Sequence, residues 1–293
     1  MSLNTTLRRF DSRGVRLPHV SLKCEFEGPT HTQKDRVAGA LVRAAIDLGL
    51  SGITVGSCGN FGAAIAYASG QQRLPCTVFV PRTYSHTRAE EIEQLGASVV
   101  AWGTCYEDAV AASQDFARSN GAFDANPIGE AGEIAVRAYG DIVDELAVQS
   151  PLRIGSIWIP VGNGTCAAGV YHRLRELGMD TAVCIVGSRG NTAVTSSLLA
   201  GRVIEIDRNS LRETWVNEPL VNWRSLHVVE GMEAVQRTRG HFCEAEDEQL
   251  LAAHAEVEQG PRASPAGAAG LVGLKHFADS LNHDHAHVVV LTS

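Results

Sequence analysis

Apolar positions along the chain follow two different periods. Short continuous apolar or β-branched runs recur at 52–57 (GITVGS), 76–81 (CTVFVP), 98–102 (SVVAW), 154–162 (IGSIWIPVG), 182–187 (AVCIVG), 241–245 (HFCEA) and 287–293 (HVVVLTS), and each predicts a strand. Helix-length stretches separate them. After Lys34, Val37, Ala40, Leu41, Ala44, Ala45 and Leu48 recur at i, i+3 and i+4, and Gly49 follows as a helix stop. Further helices are expected over 62–69, 105–119, 130–149, 170–177, 246–258 and 264–278, and Thr87 with Glu90 forms a capping box for RAEEIEQLG (88–96). Strands separated by helices imply βαβ units and parallel sheets, so the fold class is α/β. Unbroken apolar strands such as CTVFV fit sheets covered on both faces. Segment 201–240, with Trp215, Pro219 and Trp223 among charges, reads as loops and short helices.

Composition narrows the class. The 293 residues suffice for one large or two ordinary domains, and 44% hydrophobic with 20% charged residues fits a globular chain with a sizeable core. The net charge of −8 argues against nucleic acid as a partner, because a phosphate backbone needs a basic face. No apolar run approaches the roughly 18 residues that span a bilayer, so no membrane partner is expected. Arg8 and Arg9 are not followed by an apolar stretch, so the N-terminus does not read as a secretory signal. Seven scattered cysteines, an odd number, fit reduced thiols in a cytoplasmic protein.

In open α/β sheets ligands collect beyond the carboxyl ends of strands, so the loops after strands carry the candidate chemistry. The loop GNGTCAAG (162–169) combines three glycines with Thr165 at a helix start, which suits a phosphate. A dinucleotide would also use such a loop; no acid ends the next strand, but Arg189 would serve a 2′-phosphate, so NADP stays open. The loop GSCGNFG (56–62) offers Ser57, Cys58, Asn60 and backbone amides, which suit a small carboxylate. Lys34, in GPTHTQKDR (28–36), sits at a helix N-terminus, where the macrodipole disfavours a cation. NHDHAH (282–287) places alternate histidines in what reads as a solvated turn entering a strand, and no metal site is expected there. Trp158 reads as core.

PTHTQKDR, SCGNFG, VGNGTCAAG, SPAGAAGLVGL (264–274) and VVVLT (288–292), in this order, resemble the fold-type II pyridoxal-phosphate (PLP) enzymes, the tryptophan synthase β / cysteine synthase / threonine synthase superfamily. The resemblance spans about residues 23–293 and is strongest to threonine synthase and the serine/threonine dehydratase branch, through KDR and ANP (125–127). It implies two α/β domains, each with a mostly parallel twisted sheet flanked by helices, and PLP in the cleft between them. The smaller domain would be 39–140, with the Asn60 loop, and the larger 1–38 plus 141–293. Lys34 stands where the family joins its cofactor as a Schiff base. A free lysine has a pKa of about 10.4, and an amine must be neutral to attack a carbonyl. A position that disfavours a cation therefore suits a nucleophilic lysine. Asn60 matches the residue on the PLP 3′-oxygen. Ser57, Cys58, Gly59 and Phe61 match the loop on the substrate carboxylate. Gly162, Asn163, Gly164, Thr165 and Cys166 match the phosphate loop, and Thr292 the hydroxyl facing the pyridine nitrogen. The implied activity is β/γ-elimination or replacement on a small amino acid, O-activated or not, threonine synthase-like or cysteine synthase-like, with a serine/threonine dehydratase as the alternative and a homodimer as the assembly. An NADP-binding oxidoreductase and a PLP-binding protein without turnover are the readings of another class.

Overall fold

The chain's alternating apolar runs form, among the described residues, ten strands and ten α-helices. The computed structural model describes residues 3–12, 14–57, 59–83, 86–257 and 263–293, without the side chains of 86–88. The elements of the first half are β1 (Leu7–Phe10), β2 (Val20–Cys24), α1 (Lys34–Asp47), β3 (Ile53–Gly56), α2 (Asn60–Gln72), β4 (Cys76–Val80), α3 (His86–Gln94), β5 (Ser98–Ala101), α4 (Tyr106–Asn120), β6 (Phe123–Asp124) and α5 (Glu130–Gln149). The second half adds β7 (Ile154–Pro160), α6 (Thr165–Glu176), β8 (Ala182–Ser188), α7 (Ala193–Ala200), α8 (Val228–Arg237), β9 (Phe242–Ala245), α9 (Asp247–Val257), α10 (Ala269–Phe277) and β10 (Ala286–Leu291).

The chain divides into two compact units, one of residues 1–3 and 28–138 and one of 4–27 and 139–293. The first holds a four-stranded sheet in the order β5-β4-β3-β6, parallel throughout. β3, β4 and β5 are apolar runs of the sequence, and β6 is the two-residue Phe123–Asp124. All four residues of β3 are buried, as a sheet covered on both faces requires. The amphipathic stripe of α1 buries Val37, Ala38, Leu41, Val42 and Ala45. Burying a leucine such as Leu41 stabilises the fold by about 1.5–3 kcal/mol. The helix stops where the sequence places a stop, with Gly49 at φ +66° just past its end.

The second unit holds a six-stranded sheet in the order β1-β2-β10-β7-β8-β9. β1 pairs antiparallel with β2, and the other pairs are parallel. Trp158 is buried at its centre, stacked with His241 and Phe277. Among the described residues no helix is long and apolar enough to cross a membrane, and six cysteines are free thiols.

The structure corrects several local expectations. α3 begins at His86, so Thr87 lies inside the helix, and its side chain is outside the described residues. α6 begins at Thr165, five residues before the expected start at 170, because Gly164 turns the chain in the left-handed region and Ala167 and Ala168 are good helix formers. The segment 201–240 contains the ten-residue α8. His287 is buried, not solvated: its Nδ1 lies 2.8 Å from Ser156 Oγ and its Nε2 2.9 Å from the Asn282 carbonyl.

Candidate active site

In the first unit, Lys34 opens α1 behind a turn that the helix itself clamps. The His31 amide donates to the Gly28 carbonyl (2.9 Å), with His31 at φ +62°. The Asp35 carboxylate accepts from the amide (3.0 Å) and the hydroxyl (2.5 Å) of Thr30. A Cβ on Gly28 would lie 2.2 Å from Asp35 Oδ2, so only glycine lets the turn close this tightly. Burial pushes the Asp35 carboxyl above its ordinary range, against the bonds from Thr30. The Lys34 amide donates to Thr32 Oγ1 (3.3 Å). The Lys34 side chain is half-buried, its Nζ 6.0 Å from the centre of the Phe61 ring, within cation–π range.

Phe61 belongs to the loop after β3. Ser57 is buried, and its Oγ accepts from the Gly62 amide (2.9 Å), capping the start of α2. Gly59, Asn60 and Phe61 are half-buried at that helix start, and Cys58 lies outside the described residues. Beneath the loop sits Asn126, fully buried. Its Oδ1 accepts from the Gly56 amide (3.1 Å), and its Nδ2 donates to Ser113 Oγ (2.8 Å) and Asp124 Oδ1 (2.5 Å). One amide side chain thus ties the end of β3 to α4 and β6. In the sequence ANP stands only as a mark of resemblance, and this scaffold role is not visible there.

In the second unit, the loop after β7 turns at Gly164 (φ +80°) into α6. Among the described residues the N-cap Gly164 offers no side-chain cap and no acid stands in the first turn of this helix. Gly164 is also held by space, since a Cβ there would lie 2.6 Å from the His227 carbonyl oxygen. Asn163 is turned to the loop's own support. Its Oδ1 accepts from Asn222 Nδ2 (2.6 Å), and its carbonyl accepts from Ser225 Oγ (2.7 Å) and the His227 amide (3.2 Å). Thr165 Oγ1 lies 3.0 Å from His227 Nδ1. Gly162, Thr165 and Cys166 are half-buried. Segment 222–227, irregular by its sequence, is therefore the wall of this turn. Arg189, the candidate partner for a 2′-phosphate, pairs with Glu246 (2.5 Å).

Thr292 follows β10 and is anchored by SPAGAAG. Its carbonyl accepts from the Ser264 amide (3.1 Å), and its amide donates to the Gly267 carbonyl (3.3 Å). Thr292 is 8% exposed, and its hydroxyl makes no hydrogen bond among the described residues.

The chain has three lysines, and their surroundings separate them. Lys23 is fully buried, its ammonium held by Glu145, by Gln149 Oε1 (2.9 Å) and by the Thr5 carbonyl (2.6 Å). Lys275 pairs with Glu256. Lys34 alone of the three opens a helix after a glycine turn. So small a number of lysines is readable from sequence and sharpens the choice.

The family described as pyridoxal-phosphate dependent enzyme (PALP) matches residues 3–293. The chain belongs to this family. PLP is its cofactor. Among curated relatives, the biosynthetic L-threonine dehydratase of Pasteurella multocida is 25% identical over 266 residues, 90% of this chain and 50% of the relative. The L-serine dehydratase/L-threonine deaminase of Bos taurus is 26% identical over 186 residues, 63% of this chain and 57% of the relative. The chain spans about half the length of the curated relatives it matches. Among solved structures, the processed threonine deaminase isoform 2 of Solanum lycopersicum superposes with a TM-score of 0.84 at 19% identity, covering 99% of this chain and 79% of that one. Maize serine racemase gives 0.82 at 19%, covering 98% and 88%. At these identities the two structures show a shared fold.

Each unit, taken by itself, carries residues whose chemistry suits one group of such a cofactor. An uncapped, acid-free helix start behind Gly164 suits a phosphate. In the second unit the Thr292 hydroxyl makes no hydrogen bond among the described residues, and in the first unit Lys34 supplies a half-buried amine.

Proposed function

We propose that this PLP enzyme is a lyase that eliminates the β-hydroxyl of a small hydroxy amino acid of the serine/threonine class, releasing a 2-oxo acid and ammonia. The observation that carries the reading is the set of dehydratases found among its relatives, one of them matched over 90% of this chain. They support the dehydratase branch of the resemblance over threonine synthase.

Bound PLP supplies the electron sink that lets an amino acid lose its α-proton and then a group at Cβ. Lys34 would hold the cofactor through Nζ and, once the substrate amine displaces it, take the α-proton as general base. Gly162–Cys166 would hold the phosphate with the first-turn amides of α6 and the Thr165 hydroxyl. Asn60 would donate to the 3′-oxygen. The amides of Gly59 and Phe61, at the start of α2, would bind the substrate carboxylate, and Ser57 would keep that helix start in place through its bond to Gly62. Thr292 would offer the ring nitrogen a neutral hydroxyl, which leaves that nitrogen without the charge partner an acid would give. That choice favours loss of a β-group over transamination.

The test is product analysis of the PLP-loaded protein with serine and with threonine. Pyruvate or 2-oxobutanoate and ammonia in equal amounts, lost in Lys34→Ala, is the expected result. Oxo acid absent while D-serine accumulates, or while an added thiol replaces the hydroxyl, would overturn the dehydratase reading.

A further inference from the structure

His227 is a buried histidine, 8% exposed, that neither the family resemblance nor the reading above uses. It comes from the start of α8, 62 residues beyond Thr165, yet its Nδ1 lies 3.0 Å from the Thr165 hydroxyl. Its backbone is fastened to the same loop: its amide donates to the Asn163 carbonyl (3.2 Å), and its own carbonyl sits where a Cβ on Gly164 would be, 2.6 Å away. The carbonyl also accepts from the Gly231 amide (2.9 Å), which locks it into the first turn of α8. The ring is thus aimed at Thr165 by the very contacts that shape the loop.

A threonine hydroxyl has one proton, and an imidazole nitrogen is either donor or acceptor. If His227 Nδ1 is bare, it takes the Thr165 proton, and the hydroxyl turns only lone pairs toward an anion. If Nδ1 carries a proton, it donates to Thr165 Oγ1, and the hydroxyl proton is free to point at the anion. A phosphate at the start of α6 selects the second arrangement. We propose that His227 is a positioning residue for the cofactor phosphate: its Nδ1–H fills the Thr165 oxygen and turns the Thr165 hydroxyl proton onto the phosphate. The proposal rests on the reading of 162–166 as the phosphate loop. It adds one charge-assisted hydrogen bond to those from the α6 amides.

The experiment titrates PLP-depleted protein with PLP and, separately, with pyridoxal, which lacks the phosphate. His227→Leu is expected to raise the Kd for PLP about tenfold, the size of one such bond, and to leave the Kd for pyridoxal unchanged. His227→Asn, whose amide nitrogen is a permanent donor near the place of Nδ1, is expected to restore PLP binding to within about threefold. With Thr165→Val already present, His227→Leu should cost nothing more. Equal weakening of PLP and pyridoxal, loss that persists on the Thr165→Val background, or no loss at all would overturn the proposal. Should His227→Leu fail to fold, the ¹⁵N shift of Nδ1 in the PLP-bound parent protein decides: a protonated nitrogen is expected, a bare one is contradictory. Amide hydrogen exchange separates the two readings. If PLP slows exchange at 163–167 while the His227 variants bind normally, the positioning role alone falls. If PLP leaves those amides unchanged, the phosphate-loop reading falls and takes the proposal with it.

Discussion

A hydroxyl that faces a pyridine nitrogen does different work from a carboxylate in the same place. Thr292 is anchored through its backbone to Ser264 and Gly267, so its side chain can change without moving the chain. On the proposed placement of Thr292 at the ring nitrogen, Thr292→Asp would put a charge partner there and favour its protonation. Oxo-acid formation should then fall about tenfold relative to exchange of the substrate α-hydrogen with D2O, and pyridoxamine phosphate should appear. Mass spectrometry of substrate and cofactor measures both, and an unchanged ratio would remove Thr292 from control of the reaction. At this scale the site is half legible. Lys34, Asn60, Gly164 and Thr165 stand out in the sequence because each breaks a local rule or follows a strand directly. Asn126 and His227 do not. Their roles depend on partners 70 and 62 residues away, and no local spacing encodes such a pairing.

Elements are placed by a few close approaches that only glycine permits. A Cβ on Gly267 would lie 1.8 Å from the Thr292 carbonyl oxygen, so the turn before α10 and the end of β10 share one contact. Gly267→Ala should lower stability by about 1–3 kcal/mol through overpacking, seen as an earlier urea midpoint, and should weaken PLP binding as Thr292 shifts. A midpoint and a PLP affinity both equal to the parent's would contradict that account of the turn. Apart from the two-residue β6, the strands from 52 onward are legible because apolar runs such as CTVFV leave little choice. β1 and β2 escape a reading by pattern because two of the four residues of LRRF are charged and VSLKC hides a buried lysine, whose partners lie on α5 and in the N-terminal segment. α8 escapes it because Gly231 lowers its helix propensity. In the fold that glycine brings the helix within 3.5 Å of Gly164, measured from an added Cβ, so its local cost serves a tertiary contact.

Across the whole molecule, the α/β class and the parallel sheets follow from the alternation of strands and helices, whereas the family assignment needs the order of five motifs. Stability as a function of pH is a property of the entire chain, and His287 gives it a definite sign. Trp158 donates to Ser156 Oγ (2.8 Å), and the Asn282 carbonyl can only accept from Nε2. The neutral ring therefore keeps Nδ1 bare to accept from Ser156. Burial first, and the nearby His285, His283 and His19 after it, hold the His287 pKa below its ordinary value against the bond to Asn282. A histidine with a lowered folded pKa stabilises the fold fully above about pH 6.5 and loses that contribution as the pH falls toward the folded value. Tm should drop by about 2–4 °C for each kcal/mol lost between pH 7.5 and 5.5, and His287→Gln should flatten that slope. An equal slope in the variant would assign the acid sensitivity elsewhere. The most direct test of the central claim uses the scarcity of lysine: Lys23, Lys34 and Lys275 are the only three in the chain. The PLP-loaded protein is reduced with borohydride, digested and mapped by mass spectrometry. A pyridoxyl group on the peptide containing Lys34, and on no other, is the predicted result; a label on Lys23 or Lys275, or no label at all, would contradict it.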